Sequence, residues 1–460
     1  MAELSTAQTS LRKRIWGWWF FDWASQPYHT LLVTFVFGPF FAATATQYFL
    51  GTGLDGEAAR AQAQSSWSLC LTITGLIIGL SAPFLGALAD LAGRKLPWII
   101  GFSAAYVLGS AGLWFMDPDG SNLWWMLISF GIGFIGAEFA LVFVNAQLPS
   151  LGTKEELGQV SGSGFAFGYL GGVISLFIVL LLFVEQDSGK TLIGLDPVLG
   201  LDATKKEGTR AVGPFVAIWF AVFMLPYFLW VREPRTARQG RASPGRAIAM
   251  VVASVKGLAH RRSMANYLVS SMLYRDALNG LYGFGGVYAG LVLDWSITQI
   301  GIFGIIAAIS AAAFSWVGGL LDRRLGPKPV IIAAILVLSC VCLIVVSMSR
   351  VQIFGIALAP GSSLPDQIFF ACGVLIGGFG GILQATSRTL MVRHTSPETE
   401  TEAFGLYGLS GRATAFLAPA LIGVMTTLTG NARLGITPVI ALFALGLLLL
   451  AWVDGEGDQD

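Results

Sequence analysis

The sequence predicts an all-α membrane protein, a bundle of twelve transmembrane helices arranged as two pseudo-symmetric six-helix halves. Composition is the first reason: 55% of the 460 residues are hydrophobic and only 12% are charged, too few to clothe a water-facing surface, so lipid must be the solvent. Secondly, apolar stretches of the ~20 residues needed to cross a hydrocarbon core recur along the whole chain. Thirdly, a short loop pattern occurs twice, half a chain apart.

The twelve expected spans are 15–42, 64–89, 97–116, 123–147, 160–185, 212–231, 265–293, 298–321, 329–348, 367–391, 403–427 and 434–452. Arg12, Lys13 and Arg14 ahead of the first span mimic the start of a signal peptide. The apolar run is longer than the ~7–15 residues of a signal core and holds Asp22, Gln26 and His29, so it reads as a retained helix. Basic residues alternate between the two sides. Arg12, Lys13, Arg14, Arg94, Lys95, Lys154, Arg323, Arg324, Lys328, Arg393 and a cluster over 232–262 share one side, and Arg60, Lys190, Lys205, Lys206, Arg210, Arg350 and Arg433 the other. The positive-inside bias then puts both termini in the cytoplasm, as an even helix count requires. The basic stretch with Pro234 and Pro244 divides the chain into an N-terminal half (1–231), a cytoplasmic linker (232–263) and a C-terminal half (264–460).

The repeated loop reads Gly86, Leu88, Asp90, Gly93, Arg94, Lys95 after the second span and Gly318, Leu320, Asp322, Arg323, Gly326, Lys328 after the eighth. Its aspartates are 232 positions apart, and the second copy has one extra residue. This GxLxDxxGRK pattern resembles the signature of the major facilitator superfamily. The resemblance implies a bundle of that type, with a glycine that lets helix two approach the other half and an aspartate and basic residues that clamp the cytoplasmic side. Gly86, Asp90, Gly93, Arg94, Lys95, Gly318, Asp322 and Arg323 become the expected cytoplasmic gate. A solvated loop obeying the charge bias is the competing reading, but it does not call for Gly and Asp at fixed offsets in both halves.

Further strings narrow the resemblance. Trp18, Asp22, Trp23 and Ala24 lie in helix one; Asn145, Leu148 and Pro149 close helix four; Val160, Ser161, Gly162, Gly164, Ala166, Gly168, Tyr169, Gly171 and Gly172 open helix five. Gln384, Ala385, Ser387 and Arg388 lie in helix ten, and Phe404, Gly405, Leu406, Tyr407, Ser410, Gly411, Arg412, Ala415, Phe416 and Pro419 in helix eleven. Together they are similar to the bacterial branch of the family of the fungal autophagy-related protein 22, a vacuolar amino-acid effluxer. The resemblance implies export or release of small metabolites, with amino acids as the characterised cargo, from a bacterial inner membrane. Ser25 and Gln26, and Tyr274 to Ala277, depart from the family pattern on helices expected to line the cavity.

Ionisable groups at bilayer depth are expensive, which makes each a candidate for binding substrate or protons. Asp22, Gln26 and His29 share one face of helix one at i, i+4 and i+7. Glu138 and Asn145 share a stripe of helix four. Arg275 and Asp276, adjacent and therefore about 100° apart on helix seven, need separate partners, with Asn279 one turn on from Arg275. Gln384 and Arg388 share a face of helix ten, and Arg388 or Arg412 has the paired donors to hold a carboxylate. Structural ion pairing competes at each, and for Arg388 snorkelling to the cytoplasmic boundary.

Other patterns argue for packing. Gly131, Gly133 and Gly136 spell GxGxxG inside an apolar helix with no preceding strand, so close helix contact is expected rather than a dinucleotide loop. Gly75 with Gly79, Gly164 with Gly168 and Gly172, and Gly377 with Gly381 repeat a packing interval. Trp16, Trp18, Trp19, Trp23, Trp124 and Trp125 are expected in an interfacial belt. Cys70, Cys340, Cys342 and Cys372 lie in apolar spans and read as small hydrophobes. No zinc or nucleotide motif occurs and no basic patch is interleaved with aromatics, so catalysis, cofactors, metals and nucleic acid are not expected. The sequence reading is a monomeric secondary transporter for a small polar molecule, working by alternating access, with protons available as coupling ions through Asp22, Glu138 and Asp276. A sugar, drug or peptide carrier is the alternative. A membrane receptor or scaffold is the other class, and it would need an interaction domain that the loop 186–210 and the linker look too short and featureless to supply.

Overall fold

The structure, a computed structural model, describes residues 10–186, 188–231, 243–295, 297–396, 399–413, 417–429, 431 and 433–457. In chain order the helices are α1 (Leu11–Pro27), α2 (Phe37–Gly51), α3 (Gly56–Ala92), α4 (Leu96–Gly112), α5 (Leu123–Asn145), α6 (Leu157–Leu182), α7 (Glu207–Arg210), α8 (Val212–Phe223) and α9 (Leu225–Trp230). Then follow α10 (Pro244–Gly257), α11 (Arg262–Val292), α12 (Ile297–Leu325), α13 (Pro327–Ser347), α14 (Leu364–Arg393), α15 (Glu400–Ala413), α16 (Leu417–Thr429) and α17 (Thr437–Leu450). A hairpin of β1 (Gln352–Ile353) and β2 (Ile356–Ala357) joins α13 to α14.

Every expected span coincides with helix. Among the described residues nine helical runs are long and apolar enough to cross a membrane. The other three expected spans fall short for local reasons. Ser, Tyr and Gly together with Arg275 and Asp276 depress the hydropathy of α11, the eleventh is described as two shorter helices, α15 and α16, and α17 has only 14 residues.

The first span is the longest, running from Leu11 to Gly51 through a π-helical stretch, Tyr28–Phe35. The irregularity begins at Pro27, which has no N–H to offer the carbonyl of Trp23. The Trp219 indole donates to that carbonyl instead, at 3.2 Å. A neighbouring helix has thus taken over a bond that the proline deleted.

The chain folds into two compact units. The first comprises Met1–Ile78, Gly93–Val144 and Phe167–Ala237; the second comprises Gly79–Ala92, Asn145–Ala166 and Arg238–Asp460. The ends of α3 and α5 and the start of α6 therefore belong with the second unit.

In the first unit, the GxGxxG glycines of α5 each admit a neighbour, Gly131 the side chains of α3, Gly133 the first span and Gly136 the backbone of α4. A Cβ on Gly136 would lie 2.7 Å from the Phe102 carbonyl oxygen, and one on Gly133 would lie 2.8 Å from the Tyr28 hydroxyl. Trp23 stacks between Phe167 and Trp219. Of the tryptophans expected in an interfacial belt, Trp16, Trp124 and Trp125 are exposed, but Trp18 is not. Trp18 is fully buried because its indole N–H reaches the Val144 carbonyl at 2.9 Å, one of the acceptors that the end of α5 leaves open. Gly75 also differs from expectation, since nothing lies within 4 Å of the position its Cβ would take.

In the second unit, α12 and α14 close on each other where Gly377 meets the backbone of Ala307 and Gly381 that of Ala311. The linker is not featureless: its described part forms α10, whose Ala247, Met250 and Val251 pack on Phe84, Ala87, Leu88 and Leu91 of α3. Residues 232–242 of the expected linker lie outside the described residues. The four cysteines are unpaired, with Cys70, Cys342 and Cys372 buried and Cys340 exposed.

Candidate gate and polar sites

Both copies of the repeated loop have their aspartate in the second unit, each placed at the start of a helix distant in sequence. Asp90, in the last turn of α3, accepts the backbone N–H of Glu402 at 2.9 Å and of Thr401 at 3.4 Å, capping α15. The first turn of a helix has no partners of its own for these donors, and its positive dipole end favours a carboxylate. Gly86 makes the cap reachable. A Cβ there would lie 2.7 Å from the Thr401 carbonyl oxygen, and one on Gly405 would lie 2.8 Å from that of Ala82, so α3 and α15 cross backbone to backbone. Gly93 ends α3 at φ +65°, and Gly326, its partner in the second copy, follows α12 at φ +80°, positive values that glycine adopts without strain.

Asp322, buried at the end of α12, accepts a hydrogen bond from the Thr389 hydroxyl of α14. Its carboxyl also presses on the start of α6, where a Cβ on Gly158 would lie 2.5 Å from the Asp322 Cγ. Arg323 donates to the Gln159 side chain at 2.7 Å. The repeat aligns Gly318 with Gly86, yet Gly318 faces Ile382 of α14, and it is Gly319 that meets Gly162 and the Gly158 carbonyl of α6. One residue turns a helical position by about 100°, enough to hand the close approach to the neighbour. Arg94 is exposed and Lys95 half-buried.

Arg388 does not snorkel. It is 2% exposed, with its Nε on the Ser161 hydroxyl (2.9 Å), Nη1 on the Asn145 side-chain oxygen (3.0 Å) and Nη2 on the Ser161 carbonyl (3.0 Å). The guanidinium also lies 4.3 Å from the centre of the Phe165 ring. Its fork therefore ties the α5 end and the α6 start to α14. Gln384, one turn earlier, is half-buried.

Arg275 and Asp276 go separate ways, as their angular offset requires. Arg275 donates to the Tyr407 carbonyl at 3.0 Å and lies 4.2 Å from the centre of the Tyr407 ring, in space that a side chain at Gly411 would fill. Asp276, 1% exposed, accepts the Ala418 N–H at 2.8 Å in the first turn of α16. Asn279 is exposed, and the side chain of Arg412 lies outside the described residues.

In the first unit, Asp22 is buried against Gly168, and Gln26 packs one turn along on Gly172, so both face α6. His29, in the π-helical stretch, has its Nε2 3.8 Å from Glu138 Oε1, with the two side chains 39% and 13% exposed. An imidazole beside a carboxylate has the chemistry to exchange a proton. Glu138 and Asn145 thus have different partners, although seven residues apart on α5.

No single-residue signal marks Gly158, Gln159, Gly319 or Thr389. Gly158 and Gly162 do repeat the four-residue spacing of close helix packing, which is the one trace of the α6 contact that the sequence carries. Among the described residues, no group of three or more His, Cys, Asp or Glu is placed to hold a metal ion.

A family model described as vacuole effluxer Atg22 like matches residues 10–459. The uncharacterized MFS-type transporter YxiO of Bacillus subtilis (strain 168) is 25% identical over 448 residues, covering 96% of this chain and 95% of that protein. Autophagy-related protein 22-2 of Neosartorya fischeri is 24% identical over 324 residues, 66% of this chain, and the matched part is 50% of the fungal protein's length. Among solved structures, the E. coli fucose:proton symporter FucP superposes with a TM-score of 0.68 at 16% identity, covering 97% of this chain and 99% of that one. A bacterial homologue of the iron transporter ferroportin, in an outward-facing state, gives 0.64 at 14% identity over 96% and 98%. The structural likenesses show the twelve-helix, two-domain fold, and with the family match over nearly the whole length they place the chain in the vacuole effluxer Atg22-like family of major facilitator transporters, integral multi-pass membrane proteins.

Proposed function

We propose that this transporter exports or releases small polar metabolites, amino acids foremost, by alternating access, with His29 and Glu138 as the proton-coupling pair. The observation that carries the reading is that pair: an imidazole and a carboxylate 3.8 Å apart and partly accessible, set among apolar helices beside a π-helical irregularity. Ionisable groups in a span are costly and mark substrate or proton paths, and π-helical turns concentrate at functional sites. Polar side chains left partly accessible in the spans, among them Gln26, His29, Glu138, Arg275, Asn279 and Gln384, include both charges, which suits a small zwitterion better than an apolar cargo. The family description, an effluxer, supports the direction. In this reading Asp90 and Asp322 are clamps on the cytoplasmic side that release once per cycle, both termini are cytoplasmic in a bacterial inner membrane, and the monomer is the working unit.

The test is uptake of a labelled amino-acid mixture into proteoliposomes under an imposed outward proton gradient, acid inside, which drives label inward through a proton-coupled exporter, for wild type, Asp22→Asn and Glu138→Gln. Wild type and Asp22→Asn should accumulate label, the second because Asp22 is buried in packing against Gly168. Glu138→Gln should lose gradient-driven accumulation while still exchanging label across the membrane. No uptake beyond empty liposomes overturns the amino-acid assignment, and accumulation indifferent to the gradient overturns proton coupling.

A further inference from the structure

The outward face of α10 has no protein partner among the described residues, and it is apolar. Ile248, Val252 and Val255, spaced i, i+4 and i+7 along one stripe, are 55%, 46% and 51% exposed, although the opposite stripe is already packed on α3. The charged residues of α10 are Arg246 and Lys256, both exposed, and it has no acid. Over 232–262 the sequence holds eight Lys and Arg against one acid, Glu233.

Position narrows what can cover the stripe. α10 is followed within five residues by α11, one of the spans, and it packs along the last turns of α3, another span. It therefore lies at a membrane boundary. A helix that is apolar all round is covered on all sides, and one with a basic margin at a bilayer surface is covered by lipid carrying negative headgroups.

We propose that α10 is an interfacial anchor: Ile248, Val252 and Val255 enter the boundary between headgroups and acyl chains, while Arg246 and Lys256 bind anionic phospholipid. Because the inward stripe of α10 packs on Phe84, Ala87, Leu88 and Leu91, bound lipid is one helix away from Asp90.

The experiment uses the full-length protein in a cysteine-free background, spin-labelled at Val252→Cys or Lys256→Cys. It is reconstituted into vesicles of phosphatidylcholine alone or mixed two to one with phosphatidylglycerol. In the mixed vesicles the Val252 label should collide more with oxygen than with a water-soluble nickel chelate, and the Lys256 label should do the reverse. Omitting phosphatidylglycerol, or replacing Arg246 and Lys256 by Gln, should move the Val252 label toward water. At about 1 kcal/mol per basic group at an anionic surface, the docked-to-undocked ratio should fall about 30-fold. A Val252 label open to nickel in both vesicle types overturns the proposal. A label shielded from oxygen and nickel alike means that protein, such as a second copy of the chain, covers the stripe, and overturns it too. Insertion indifferent to phosphatidylglycerol overturns the headgroup assignment. The labelled and neutralised side chains, Val252, Arg246 and Lys256, are exposed, and each variant is compared with the cysteine-free parent, whose fold is checked first.

Discussion

Arg388 shows how a buried charge is made tolerable and why sequence misplaces it. Its position near the end of a span reads as a side chain escaping to the surface. Three acceptors from Asn145 and Ser161 and an aromatic ring hold it inside instead, and none of these is near it in sequence. Removing the guanidinium takes away the group that bridges those acceptors. Breaking a buried charged network by deleting one partner costs about 3–5 kcal/mol. Arg388→Lys keeps the charge but loses the planar fork, and Asn145→Ala strands one donor at about 1–3 kcal/mol. Thermal unfolding of the detergent-purified protein should rank wild type above Asn145→Ala and Arg388→Lys, with Arg388→Ala lowest. An unshifted melting temperature for Arg388→Ala would mean that the network holds nothing together.

At the scale of the helices, glycines divide into those that set a contact and those that do not, and spacing alone does not separate them. Gly136 and Gly75 each open or continue a small-residue pattern in an apolar helix. A methyl on Gly136 would lie 2.7 Å from the Phe102 carbonyl oxygen, whereas one on Gly75 meets nothing within 4 Å. Gly136→Ala should therefore force α4 and α5 apart at about 1–3 kcal/mol, the usual cost of overpacking. Gly75→Ala should be neutral or stabilising by up to about 1 kcal/mol, because alanine is the better helix former. The pair, compared by denaturation in one detergent, tests the helix contact with the residue change held constant; equal effects would refute it. The helices themselves were legible in the sequence because apolar runs and their breaks are local properties. The loops that follow α3 and α12 were legible too, with Gly93 and Gly326 at positive φ in them. Trp18 in the core, Gly319 in place of Gly318 and the packing of the linker helix were not legible, because each is decided by a partner far along the chain, whereas Pro27 marks the π-helical stretch locally.

For the whole molecule, the repeat matters more than either copy. Asp90 caps the start of α15 and Asp322 presses on the start of α6, so one loop pattern, used 232 positions apart, fastens two helix starts within the second unit. If these contacts are the clamps proposed above, weakening one should shift the population toward states in which those helix ends separate. A lost carboxylate cap is worth about 0.5–2 kcal/mol, which corresponds to a shift of about 2- to 30-fold. Thr386 offers a reporter: it is 1% exposed and its hydroxyl has no hydrogen-bond partner among the described residues, so Thr386→Cys disturbs little and is shielded while α14 stays packed. In a background without Cys70, Cys340, Cys342 and Cys372, its alkylation rate by a water-soluble maleimide should rise about 2- to 30-fold with Asp90→Ala. Asp322→Ala should raise it as well, and the two together should multiply if the clamps act independently. A double variant no faster than either single one would mean that the two aspartates guard a single opening step, and rates unchanged in all three would remove both from the gate.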